Sequence, residues 1–340
     1  MSYKTLQWVH QLLFVCTFVL TAMLSCACDA QESKTSPDPK FVQIRDLADR
    51  NGFKEVKVTD EQITLKSPWT RLEFYKYSRK AALNGTTIWL NAATLVSDGK
   101  WAITRADYDK TIMPILRPFE YLAEFGYKTI VLDPGHGGQD SGGVGPGTLL
   151  EKNIALEISR SVRKGLEEMG YQVHLTRNSD KFIELEERCA IAGRLNADLF
   201  VSIHCNAGAN VHAEGVETYS LSIPSYPSTN DGGKRKSNAA ANLGNKHDNA
   251  NVALGHAVQK SIVSKSGRAD RGLRRARFVV LRDAPCPATL VECGFLSNAV
   301  EAKLLQNQAF VERISHALVI GIDDYIGQVR KAHLIAAEGE

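Results

Sequence analysis

The chain has 340 residues, 44% of them apolar and 23% charged, which is enough for two globular domains and too apolar for overall disorder. A formal net charge of +3 is too small to argue for a nucleic-acid partner. Beyond the N-terminus no segment reads as a membrane span, and no internal repeat is visible.

In chain order, Lys4, the apolar run from Leu12 to Leu24 and the small residues from Cys26 to Ala30 read as a secretion signal over about residues 1–30. Cys28-Asp29-Ala30 suits signal cleavage and favours a freely exported protein of the periplasm or cell envelope. A lipoprotein anchored at Cys26 or Cys28 is the alternative, although neither follows a good lipobox, and contact with a membrane is expected only in that case. An uncleaved anchor is disfavoured because the run is short for a spanning helix. Residues 31–40 ("QESKTSPDPK") form a polar linker rich in turn formers.

Residues 41–118 read as a small β-rich module. "FVQIRDLADRNGF" suggests a short helix, three following stretches suggest hairpins closed by a small helix, and Asn84-Gly85 is a strong turn signal between alternating strands. The module has no histidine and no cysteine, so metal chemistry is not expected there. Its pattern "LNGTTIWL...DGKWAITRADYDKTIMPIL" resembles the small N-terminal module named after copper amine oxidases. That resemblance implies a binding or spacer role, with plain structural support of the next domain as the other reading.

From Tyr127 the pattern changes to strands alternating with helices. "KTIVLD", "YQVHLTR", "DLFVSIHCNA", "GVETYSL" and "ATLVECGF" read as strands. "EKNIALEISRSVRKGLEEMG" places Ile154, Ala155, Ile158, Val162 and Leu166 on one face and reads as a helix, as do "ELEERCAIAGRLNA" and "AFVERISHALVIGIDDYIGQVRK". The expected fold is a three-layer α/β sandwich with a largely parallel sheet flanked by helices, spanning about residues 128–330 and preceded by the β-rich module.

Four residues stand where such a sheet gathers a site. His136 follows the first strand within "IVLDPGHGGQDSGG", Glu151 opens the next helix, His204 ends "DLFVSIH" and Glu292 ends "ATLVE". Three of these are N or O donors suited to a zinc ion with an open fourth position, and the remaining carboxylate would serve as general base. A carboxylate such as Glu292 in a buried strand is costly unless it is paired or near a metal. His174, His212, His247, His256, His316 and His333 read as ordinary surface or hydrogen-bonded residues.

The blocks "IVLDPGHGGQDSGG", "LLEKNIAL", "VHLTR", "LFVSIHCNA", "GVETY", "DRGLRRARFVVLR" and "PATLVECGFLSN", in this order, resemble the zinc-dependent N-acetylmuramoyl-L-alanine amidases of the amidase_3 type. The resemblance implies cleavage, in peptidoglycan, of the amide between the lactyl group of N-acetylmuramic acid and L-alanine. It also implies one Zn2+ held by His136, Glu151 and His204, with Glu292 as the catalytic base. Asn206 and Arg177 fall at recurring family positions and are expected to contact substrate or to hold the loops.

An insert over about residues 222–250 departs from the pattern. In some relatives a helix here plugs the zinc until an activator protein removes it, but this insert has no glutamate, and only Asp231, His247 and Asp248 could approach a metal. Alternation along the strands turns Cys205 and Cys293 away from His204 and Glu292, and a disulfide between them is open if their strands are neighbours. The arginines of "GRADRGLRRARFVVLR" suggest a basic rim for the carboxylates of peptidoglycan stems. Rival readings are an exported zinc peptidase or deacylase on another envelope polymer, and a catalytically silent wall-binding protein.

Overall fold

The computed structural model describes residues 40–229 and 239–338. The secretion signal, nearly all of the linker and Asp231 of the insert lie outside the described residues. Strands β1 Phe41–Gln43, β2 Glu55–Val58, β3 Gln62–Lys66, β4 Arg71–Tyr75, β5 Lys80–Leu83, β6 Thr86–Trp89, β7 Leu95–Ser97 and β8 Lys100–Thr104 build the N-terminal module with helix α1 Ile44–Arg50 and a run of short helical turns from Arg105 to Leu116. The Asn84-Gly85 turn joins β5 to β6 with φ of 49° and 86°, both in the left-handed region, as a tight hairpin requires.

Next come β9 Thr129–Pro134, β10 Val144–Gly145, β11 Leu149–Leu150, α2 Glu151–Glu168, β12 Gln172–Leu175, α3 Leu185–Arg194, β13 Leu199–Asn206 and β14 Val216–Leu221. They are followed by α4 Asp248–Ser266, β15 Asp270–Ala276, α5 Val279–Arg282, β16 Ala288–Phe295, α6 Ala299–Leu305 and α7 Gln308–Glu338.

Eleven strands form one sheet in the order β12-β9-β13-β16-β14-β15-β6-β5-β4-β3-β2. From β12 to β16 every pair is parallel. β14 runs antiparallel to β16 but parallel to β15, β15 is parallel to β6, and β6 to β2 are antiparallel neighbours. The expected largely parallel sheet is therefore present between β12 and β15, and β2–β6 of the module extend it, while β1, β8 and β7 form a separate three-stranded antiparallel sheet.

Alternation along each strand sorts the cores. Ile130, Leu132, Val201, Ile203 and Val291 face α2, α4 and α7, where they pack with Ile158, Val162, Leu254, Val258, Leu318 and Ile322. Val131, Phe200, Tyr219 and Leu290 face the other way, against Cys189, Ala192, Val280 and Leu281 of α3 and α5. A third cluster, including Leu47, Leu72, Phe74, Ile88 and Trp101, fills the module. The helices and strands thus make the three layers expected of an α/β sandwich.

Two elements were not read from the sequence. Helix α4 buries most of its length on all sides, so no polar stripe announces it. Strand β15 is Arg-rich, which suggests a basic rim rather than a strand, yet it lies inside the sheet between β14 and β6. Cys189, Cys205, Cys286 and Cys293 are buried free thiols, so no disulfide joins Cys205 to Cys293 although their strands are neighbours.

Candidate metal centre

The parallel strands β9, β13 and β16 end together, and at their C-terminal ends the loop after β9 folds back over the sheet. Two details of the chain make this loop. His136 adopts φ 60°, a strained conformation for a residue with a side chain. Gly142 adopts φ 64°, and a Cβ there would lie 2.6 Å from both Glu151 Oε2 and His136 Cδ2. Glycine at that position lets the loop backbone touch the cluster it encloses.

The strand end beneath the loop is held by buried charge. Asp133, fully buried, accepts hydrogen bonds from Thr176 Oγ1 at 2.6 Å, Arg188 Nη1 at 2.8 Å and Ser202 Oγ at 2.8 Å. Arg188 also donates to the carbonyls of Pro134, His136 and Ile183. Arg177, only 3% exposed, spends its guanidinium on the carbonyls of Pro134, Gly135, Lys152 and Ser179. It clamps the loop from below and is not among the residues lining the cleft.

His136, Glu151 and His204 converge above this base, with their ligand atoms all within 4.8 Å of one another. Glu151 Oε1 lies 3.1 Å from His136 Nε2 and 2.8 Å from His204 Nδ1, and it accepts from the Cys205 amide at 3.1 Å. Oε2 of the same carboxylate accepts from the Gly143 amide at 2.7 Å. Burial works to raise the Glu151 pKa, but hydrogen bonds and charge from the two imidazoles outweigh it and hold the carboxyl well below its ordinary range. An ionised carboxylate between two imidazoles is a donor set that could hold one metal ion. The sequence reading missed Asp140. Its Oδ2 lies 2.7 Å from His136 Nδ1 and so orients that imidazole's other nitrogen toward the cluster.

Register places a second row beside the cluster. His204 on β13 faces Glu292 on β16, and Glu292 faces Glu217 on β14. Glu292 Oε2 is shut off from solvent with no hydrogen-bond partner among the described residues. Burial, and then the charges of Glu151 and Glu217, push its pKa well above the usual carboxylate range. A cleft of about 760 Å³ opens over the cluster. It is lined by His136, Glu151, His204, Asn206 and Glu292 on one side and by apolar groups such as Phe182 and Phe278 on the other.

The insert brings no described group to the cluster. His247 Nε2 lies 3.1 Å from the Pro285 carbonyl, and Asp248 accepts from Asn245 Nδ2 at 2.9 Å. Of the arginines in the Arg-rich stretch only Arg277 lines the cleft, and the stretch is largely tied up in internal pairs. Arg268 pairs with Glu301 and Glu214, Arg271 and Arg274 with Glu217, and Arg282 with Asp283, while Arg275 is buried and Arg277 donates to the carbonyls of Ile223 and Tyr226.

Residues 130–324, which carry all of this machinery, match the Amidase_3 family model, described as N-acetylmuramoyl-L-alanine amidase. The chain belongs to this family. It is 36% identical over 221 residues to the N-acetylmuramoyl-L-alanine amidase AmiC of Neisseria meningitidis, a match covering 58% of this chain and 52% of that protein. It is 32% identical to AmiA of Escherichia coli, over 59% of this chain and 76% of that protein. Among solved structures, the amidase AmiC2 of Nostoc punctiforme matches with 34% identity and a TM-score of 0.50, over 60% of this chain and 99% of the other. The chain thus spans about half the length of the Neisseria relative. The match begins beyond the N-terminal module, whose strands β2–β6 nonetheless extend the sheet of this family member.

Proposed function

We propose that this protein is an exported, zinc-dependent N-acetylmuramoyl-L-alanine amidase that cleaves the amide between the lactyl group of N-acetylmuramic acid and L-alanine in peptidoglycan. The observation that carries the reading is Glu292, a half-buried carboxylate whose Oε2 is shut off from solvent and unpaired among the described residues, set beside a converging His136–Glu151–His204 cluster in the lining of a cleft. Two imidazoles and one carboxylate, with Asp140 behind His136, fit zinc in both donor type and outer-shell support. Amidase relatives and the match to the family model supply the bond class.

When bound, zinc supplies Lewis acidity to a water molecule and to the scissile carbonyl. The remaining steps belong to the chain. Glu292, raised in pKa and without a cation partner of its own, takes the proton of the attacking water and returns it to the departing alanine nitrogen. Asn206 on the cleft wall presents its amide to the substrate, while the apolar wall with Phe182 and Phe278 keeps bulk water from the reacting atoms.

The test is digestion of purified peptidoglycan by the exported part of the chain, with Glu292→Gln as the comparison. The expected outcome is new N-terminal alanine, lost on chelation, restored by zinc, and lowered about 10²- to 10⁴-fold in the variant while zinc binding persists. Zinc-loaded, folded protein that releases no alanine N-termini overturns the reading in favour of another bond or of a silent wall binder.

A further inference from the structure

Of the two glutamates that face each other across β14 and β16, only Glu217 is ringed by donors. Its Oε1 accepts from Asn206 Nδ2 at 2.9 Å and from the Tyr219 hydroxyl at 2.8 Å. Its Oε2 accepts from Arg271 Nε at 2.8 Å and lies 2.9 Å from Arg274 Nε. Glu217 is 2% exposed, so these contacts satisfy a buried charge. They also set a direction. An ionised carboxylate can only accept, so the Asn206 amide is fixed with Nδ2 toward Glu217, and Oδ1 is the atom it can offer to a substrate N–H.

The arginines are held in turn from outside the region shared with the amidase family. Trp89, on β6 of the N-terminal module, donates its indole Nε1–H to the Arg271 carbonyl at 2.8 Å, and the Arg274 guanidinium lies over the Trp89 ring at 4.8 Å. Next to it the Thr87 amide donates to Asp270 Oδ2 at 2.7 Å. Asp270 Oδ1 takes the Gly272 amide and Gln259 Nε2, which fixes the start of β15 just where both arginines leave it. A continuous set of contacts therefore runs from Trp89 through Arg271 and Arg274 to Glu217, and on to Asn206 beside Glu292. Loosening its outer end would loosen the two arginines from Glu217, the residue that faces Glu292 across the sheet.

We propose that Trp89 and Glu217 are positioning residues of the amide-cleaving site, through which the N-terminal module holds the Asn206 amide in its working orientation; this rests on the amidase reading above. The module is then a part of the site rather than a tether.

Full-length chains carrying Trp89→Ala, Trp89→Phe, Glu217→Gln and the Trp89→Ala/Glu217→Gln pair test this. Trp69→Ala serves as the control, because that ring is 86% exposed on the same module and far from the relay in the chain of contacts. Two readouts are taken: the side-chain amide NMR signals of Asn206 in metal-free protein, assigned with Asn206→Ala, and kcat and KM on a soluble muropeptide. Trp89→Ala and Glu217→Gln are expected to shift the Asn206 signals and each to lower kcat about threefold to tenfold. The double variant should be no worse than Glu217→Gln alone, since both changes break the same relay. Trp89→Phe, which keeps a ring under Arg274, should fall between wild type and Trp89→Ala, and Trp69→Ala should match wild type.

Unmoved Asn206 signals and kcat in Trp89→Ala and Trp89→Phe, with only a lower Tm, would overturn the proposal, as would losses that multiply in the double variant. A loss in Trp69→Ala equal to that in Trp89→Ala would also overturn it, pointing to a module that merely binds the polymer. If the zinc-loaded wild type cleaves no muropeptide, the amidase reading fails, and the Asn206 signals, read without metal or substrate, still decide for or against the relay.

Discussion

At the scale of single residues the centre divides into groups that face the cleft and groups that hold them. Asp140 belongs to the second kind, and Asp140→Ala is expected to weaken zinc binding about 10- to 100-fold while leaving the fold intact, measured by competition with a chelator. Arg188 is more deeply committed. Its replacement by Met strands the buried Asp133 carboxylate and three carbonyls at once, and should cost about 3–5 kcal/mol in urea unfolding. An Arg188→Met protein with wild-type stability would show that Asp133 finds another partner. His136 and His204 stood out in the sequence because glycines around one and a buried apolar run before the other have no packing purpose, as did Glu292 at the end of its strand, whereas Glu151 by itself reads as an ordinary acid of a helix's first turn. Asp140 was not legible, since an aspartate among glycines reads as a turn former. Arg177 showed the opposite difficulty: an arginine after a strand looks available, and only the fold reveals four carbonyls waiting for it.

At the scale of elements, α2 and the strands β9, β13, β14 and β16 could be read from their periodicity, whereas α4 and β15 could not. Their hidden character has opposite causes. Helix α4 is covered by α7 on one side and the sheet on the other, so apolar and small residues encircle it. Strand β15 carries charge into the sheet because each arginine meets an acid or a carbonyl supplied by distant sequence. Burial in α4 also makes a pH prediction. His256 has an Nε2 with no partner among the described residues, and burial, aided by the charge of Lys260, lowers its pKa to about 4. In the unfolded chain the imidazole titrates near its ordinary value of about 6.5, so between these values the unfolded state binds the extra proton. Stability contributed by neutral His256 is therefore full above that window and declines as pH falls through it. Urea midpoints at pH 7.5 and pH 5 should draw together in His256→Gln relative to wild type, and equal declines would refute the assignment.

At the scale of the whole molecule, the module and the family region share one sheet and one set of buried polar contacts. Arg275, fully buried in the sheet, donates to the Lys110 carbonyl at 2.6 Å and to Leu221 at 2.9 Å, and Leu273 pairs with Ile88 across the seam. A chain shortened to residues 120–338 would leave β15 as an open edge and Arg275 short of a partner. It is expected to elute as aggregate, where residues 40–338 elute as a defined species in size-exclusion chromatography. The seam has a temporal side as well. A ribosome delivers Trp89 long before Ala276, and at 5–20 residues per second the intervening chain takes roughly 10–40 s to make. Throughout that interval β6 has no neighbour on the side that β15 will occupy, so a strand made early is among the last to be finished.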